Sequence, residues 1–172
     1  MGILSGNPKD EPMHYGEIYN VWMASMMAKG ALSSYQAYLN HAGDKDLKKV
    51  IDDLIDQAKL EIKECDELLT DNGLVPAPLL PERPPVRLED IPVGARFSDQ
   101  EIGAMIAAGT SAGMVACSTV MGQSIREDIG ALFAKYHATK AAIGLRILKM
   151  SKEKGWLIPP PLQMKRLEEV SV

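Results

Sequence analysis

Between Leu74 and Phe97 the chain carries Pro76, Pro78, Pro81, Pro84, Pro85 and Pro92. No helix survives that density. Proline lacks the backbone donor, clashes with the preceding turn and holds the segment extended. At about 3.1 Å per residue the segment reaches roughly 70 Å. A helix of the length expected on either side spans only about 43 Å at 1.5 Å per residue. The segment is therefore long enough to run from one end of a helical domain to the other.

The flanking sequence is helical on both sides. Helix A is expected from about Pro12 to Asn40, with Ile18, Val21, Trp22, Ser25, Ala28, Leu32, Tyr35 and Leu39 at three-four spacing. Helix B is expected from Asp44 to near Asn72. Leu47, Val50, Ile51, Leu54, Ala58, Ile62, Cys65, Leu68 and Leu69 form one stripe against a densely charged opposite face. Gly73 suits a left-handed C′ position, Leu74 can pack back, and Pro76 prevents continuation.

Helix C opens with a capping box, Ser98-Asp99-Gln100-Glu101, and helix D with a second, Ser124-Ile125-Arg126-Glu127. The stripe of D is Ile129, Leu132, Phe133, Tyr136, Lys140, Ile143, Ile147 and Met150, and Gly155 ends it. A shift of 82 residues (46 to 128, 73 to 155) superposes both ends of B on both ends of D. That is the mark of a pseudo-twofold bundle made from two helical hairpins.

These elements define a fold class: an all-α, ferritin-like four-helix bundle with one long crossover between helices B and C. The chain, 1–172, reads as one domain, since length alone makes one domain the default. Hairpin 12–73 and hairpin 98–155 flank the crossover 74–97, and a tail follows over 156–172. Short A–B and C–D turns make those pairs antiparallel, so the crossover sets B parallel to C and A parallel to D.

Composition excludes several function classes. The net charge of −4 gives no basic face for nucleic acid. The N-terminus, MGILSGNPKDEP, shows no secretory signal pattern, and Gly6 stands where myristoylation needs Ser or Thr. Cys65 and Cys117 lie in apolar stretches and read as reduced core thiols, which suits a cytoplasmic location. Residues 102–125 carry no charge and are long enough to span a bilayer. They are mostly Gly, Ala, Ser and Thr, so a helix buried on all sides within the bundle is expected rather than a membrane contact. Gly109 and Gly113 read as close packing inside the monomer, and Met23, Met26 and Met27 as core filler.

A ferritin-like di-iron centre takes one Glu from each of two helices and Glu-x-x-His from each of the other two. No Glu-x-x-His occurs, and helix C has no carboxylate after Glu101 until Glu127. No catalytic residue, cofactor or metal is expected. If a metal (iron, manganese or zinc) binds at all, Glu17, Glu61 and His137 are its candidate ligands. Glu61 lies on the stripe of B, where a carboxylate needs a partner. His137 is placed at the same height, so a buried Glu61–His137 hydrogen bond is expected, with His14 and Glu17 as a surface pair. No phosphate loop, Cys-x-x-Cys or nucleophile elbow is present.

Three segments carry a resemblance: His14-Tyr15-Gly16-Glu17-Ile18-Tyr19-Asn20-Val21-Trp22, Asn72-Gly73-Leu74-Val75-Pro76-Ala77-Pro78, and Lys154-Gly155-Trp156-Leu157-Ile158-Pro159-Pro160. Together they resemble a ferritin-like family of unknown function from spore-forming bacteria. Its members are often labelled spore coat proteins by similarity to the spore coat protein F group. The resemblance covers nearly the whole chain and implies a non-enzymatic structural or assembly protein. Such a protein is cytoplasmic in the producing cell or assembled into the coat, and has protein partners or self-associates, for instance as a homodimer. The competing expectation is a metal-binding or redox protein with an incomplete carboxylate/His site.

Overall fold

A computed structural model describes residues 11–163. Four long helices carry the fold: α1 (Tyr15–His41), α2 (Lys45–Asp71), α3 (Asp99–Gln123) and α4 (Glu127–Glu153). No strand occurs among the described residues.

Helix starts follow their caps. The Asp44 carboxylate accepts from the Asp46 and Leu47 amides at the start of α2. Ser98 and Glu101 close the expected capping box on α3. α1 opens with a box that is unusual in its cap: the His14 ring accepts from Gly16 and Glu17, while Glu17 accepts from the His14 amide. The box expected at Ser124 does not form. Ser124 is instead the C-cap of α3, and its hydroxyl turns back to the Val120 carbonyl. α4 starts from Arg126 without a side-chain cap of its own.

Both glycine exits close as Schellman motifs. Gly73 (φ 74°) and Gly155 (φ 70°) are the positive-φ residues among those described. Leu74 N–H donates to Leu69 O, and Trp156 N–H to Ser151 O, each satisfying a terminal carbonyl. The hydrophobic residue after each glycine then packs onto the bundle, Leu74 at one end and Trp156 at the other.

The crossover climbs the outside of α1. Lys29 holds the Ala77 carbonyl, Arg83 holds Ser33, Asn40 pairs with Pro84 and Val86, and His41 Nδ1 accepts from the Phe97 amide. Two single 3₁₀ turns, Leu88–Asp90 and Val93–Ala95, interrupt its extended course. Cross-bundle bonds fix the directions. Asn20 meets Gln123 and Tyr38 meets Met105, so α1 and α3 are antiparallel. Arg126 meets Asn72 and Lys154 meets Asp44, so α2 and α4 are antiparallel. With α1–α2 and α3–α4 as hairpins, α2 runs parallel to α3 and α1 to α4, as the crossover length requires.

The apolar interior is split. One cluster holds Leu47, Ile51, Ile102, Ile106 and Ile147. The other holds Val21, Cys65, Leu69, Ile129, Phe133 and Tyr136. A polar layer separates them. Two expectations about the exterior are overturned. α3 is not buried on all sides: only 22% of its most apolar stretch is buried. Met23 and Met26 are partly buried and Met27 is exposed, so the methionine group is not core filler. The bundle is only two helices thick in each direction, so every helix keeps an outward face whatever its composition.

Candidate functional site: a lysine-neutralised carboxylate at the centre of the bundle

The polar layer surrounds a small cavity of about 40 Å³, lined from all four helices by Tyr35, Gln57, Glu61, Thr110, Lys140 and apolar neighbours. The Lys140 ammonium donates to Glu61 Oε1 at 2.5 Å, and Gln57 Nε2 donates to the same oxygen at 3.0 Å. Thr110 turns its hydroxyl onto the Ile106 carbonyl, one turn back in α3. Burial and the Glu61 charge together raise the Tyr35 phenol above its ordinary range. Burial likewise raises the Cys117 thiol, against a smaller opposite pull from Lys140.

His137 does not reach this carboxylate. The height expected for it is right, since its neighbour Tyr136 bonds Glu64 across the same α2–α4 seam. The face is wrong. Residues of α4 that enter the core follow 129, 133, 136, 143, 147 and 150, and one step beyond Tyr136 rotates a side chain by about 100°. His137 is left partly buried to one side. Lys140, a charged residue on the apolar stripe, is the true partner, and that misplaced charge was the signal the sequence reading passed over.

Glu17 is not a surface residue, and it is not near Glu61. It is fully buried. One oxygen accepts from the Ile125 and Arg126 amides at 2.8 and 2.9 Å, and the other from the His14 amide at 3.1 Å. The α3–α4 turn therefore hangs on this carboxylate. Along α4, Arg126 and Lys140 are about 20 Å apart at 1.5 Å per residue. Glu17, Glu61 and His137 are thus not brought together, and no group of three His, Cys, Asp or Glu residues among those described could hold a metal.

The donor set at the centre does not fit a di-iron or similar ion. Only α2 contributes a carboxylate. α1 presents Ala28, Ala31 and Tyr35, α3 Gly109 and Thr110, and α4 an ammonium. A metal would need the carboxylate that Lys140 already neutralises, and would have to sit beside that positive charge. The cavity is also far below the roughly 300–1,000 Å³ of small-molecule sites.

Two further polar clusters were not visible in the sequence pattern. Lys29 is 3% exposed. It joins Asp66 at 2.8 Å, and Ser25 bonds the same carboxylate. Arg126 is 2% exposed and forks onto Asp128 while its other arm holds Asn72 and the Glu11 carbonyl. Both are structural, pinning the crossover and the start of α4. Along the crossover a groove of about 280 Å³ is lined by Leu32, Lys59, Lys63, Leu79, Leu80 and other side chains. Its lining contains no histidine or cysteine, and its one hydroxyl, Ser33, accepts from Arg83.

The family described as protein of unknown function (DUF3231) matches residues 1–168. The chain belongs to this family. The uncharacterised protein YvdQ of Bacillus subtilis strain 168 is 50% identical over 169 residues, covering 98% of this chain and 99% of the relative. The crystal structure of a "putative spore coat protein" from Bacillus halodurans C-125, at 1.54 Å resolution, is 46% identical. It superposes with a TM-score of 0.91 over 92% of this chain and all of that one.

Proposed function

We propose that this chain is a non-enzymatic structural or assembly protein of the spore-forming cell, related to coat proteins. The observation that carries the reading is the Lys140–Glu61 pair. The one carboxylate of the central polar layer is neutralised by the chain's own cation, which leaves it poorly suited to a metal. The single crossover supports placing the bundle among ferritin-like folds, and the name carried by the Bacillus halodurans relative supports an association with the spore coat.

The test has two arms. Purified protein is incubated with iron, manganese and zinc salts, desalted and subjected to elemental analysis. Substoichiometric metal is expected throughout, and a stoichiometric ion would overturn the non-metal reading. In the second arm a fluorescent fusion is followed through sporulation. Accumulation at the forespore surface and retention in the isolated coat fraction are expected. Signal that stays diffuse in the mother cell and is lost on spore purification would refute the coat association.

A further inference from the structure

The outer surface of the bundle is divided by charge. α1 contains two charged residues, Glu17 and Lys29, and both are buried. α3 contains two, Asp99 and Glu101, both in its first turn. α2 and α4, on the other side, carry acidic and basic residues along their whole length. A helix that is apolar or uncharged all round is normally an interior helix. Here two such helices lie side by side and face outward.

Their outward faces are unlike each other. α1 presents Tyr19 (63% exposed) and Met27 (63%), with the partly buried Met23 between them. α3 presents exposed Ala104, Ala108, Ala112 and Ala116 at four-residue spacing, with Ser111 and Val115 beside them. One is a ridge of long side chains; the other is a shallow trough.

We propose that the α1/α3 face is the docking surface for a second copy of this chain, in a twofold dimer. A twofold axis parallel to the helices lays α1 of one copy antiparallel along α3 of the other, and the reverse contact forms at the same time, as an isologous interface demands. Within the chain, Asn20 meets Gln123 and Tyr38 meets Met105, which sets the heights. Met27 therefore lies level with Ala116 of the partner, at the end of the trough, while Met23 and Tyr19 lie level with Val120 and Ser124. Charge agrees with this: the two charged residues of α1 are buried and those of α3 are confined to its first turn, so self-docking along the rest of the face desolvates no ion. So does area. Two helices about 40 Å long and about 10 Å apart offer roughly 800 Å² of footprint, the per-partner size of a standard stable interface. Small residues favour close helix–helix approach, whereas lipid insertion is driven by large aliphatics that α3 largely lacks. The dimer does not depend on the coat-related reading, because a bundle with another role would bury the same face.

The test is sedimentation equilibrium on the full chain, with Met27→Glu, Ala108→Glu and, on the charged face, Lys49→Glu. All three positions are exposed, and circular dichroism melts establish that each variant folds. Wild type and Lys49→Glu are expected at twice the 18.8 kDa chain mass. Met27→Glu and Ala108→Glu each bury an unpaired carboxylate against the partner's uncharged helix and are expected to weaken dimerisation at least about a hundredfold. A wild-type monomer at high micromolar concentration would overturn the proposal. So would a dimer untouched by both face variants, or a monomer that co-sediments with phosphatidylcholine–phosphatidylglycerol vesicles, which would assign the face to lipid.

Discussion

Glu61 has one fate with Lys140 and another without it. The two side chains are 12% and 20% exposed, so each loses most of its water on folding and depends on the other. Lys140→Met leaves the carboxylate facing apolar neighbours and is expected to cost on the order of 2–4 kcal/mol in urea denaturation. Replacing both, as Glu61→Leu with Lys140→Met, removes the uncompensated charge and is expected to recover most of that loss. A double variant as unstable as the single one would show that the pair holds the layer by more than mutual neutralisation. The thiols give a second residue-scale expectation. Both are free and buried, and burial pushes Cys65 up to about 12, against a smaller opposite effect of its Tyr136 contact. An unfolded thiol ionises near pH 8.5. The raised native value means that this contribution to stability is fully present below about pH 8.5 and declines as pH rises towards 12, by up to about 1.4 kcal/mol per unit. Cys65→Ala is expected to flatten that alkaline limb in pH-dependent melts. In the same window a thiol reagent should label two sites after denaturation and react slowly before it.

At the scale of elements, what the sequence made legible was whatever depends on a few neighbouring residues. The glycine exits, the start of α2 at Asp44, the Ser98 cap and the crossover are local chemistry, and all stand where periodicity and turn residues place them. The exits also carry a prediction. Gly73 and Gly155 adopt φ of 74° and 70°, where a Cβ meets the following carbonyl, so Gly73→Ala and Gly155→Ala are each expected to cost about 1–2 kcal/mol in thermal or urea unfolding. Unchanged stability would mean that the exits relax. What was not legible depends on which side of an element meets which neighbour. Ser124 fits a capping box by spacing, but the α3–α4 turn is so short that α3's own end uses it. Glu17 sits in a local box with His14, and nothing local reveals that the turn of the other hairpin descends onto it. His137 and Lys140 have similar heights on α4, and only the three-four rhythm separates them. The uncharged sequence of α3 points to the interior because composition reports that a face is kept from water without saying what covers it.

The whole molecule is more symmetric than its helix ends disclose. The shift of 82 residues that relates α2 to α4 also relates the contacts between the hairpins. Glu17, in the first turn of α1, accepts from the amides of Ile125 and Arg126. Asp99, the same shift along in the first turn of α3, accepts from the amides of Gly43 and Asp44. Each hairpin thus clips the turn of the other with one carboxylate. The second tie at each end is also related: Arg126 to Asn72 at one, Lys154 to Asp44 at the other, with the cation on the opposite partner. Two hairpins joined only by an exposed crossover need such ties, because apolar packing is non-directional and leaves their relative slide weakly set. The clips differ in burial, so they should differ in strength. Glu17 is fully buried and accepts three amides, and Glu17→Ala is expected to cost about 3 kcal/mol by leaving those donors unsatisfied. Asp99 is partly exposed and accepts two, and water can replace it, so Asp99→Ala is expected to cost about 1 kcal/mol. The sites lie at opposite ends of helices about 40 Å long, so the double variant is expected to be additive within about 0.5 kcal/mol. Hydrogen exchange separates a clip from general destabilisation. Glu17→Ala should speed exchange at Ile125 and Arg126 while leaving Gly43 and Asp44 protected, and Asp99→Ala should do the reverse. Exchange that rises at both turns in either variant would mean that the ends act as one unit and that the two clips are not independent.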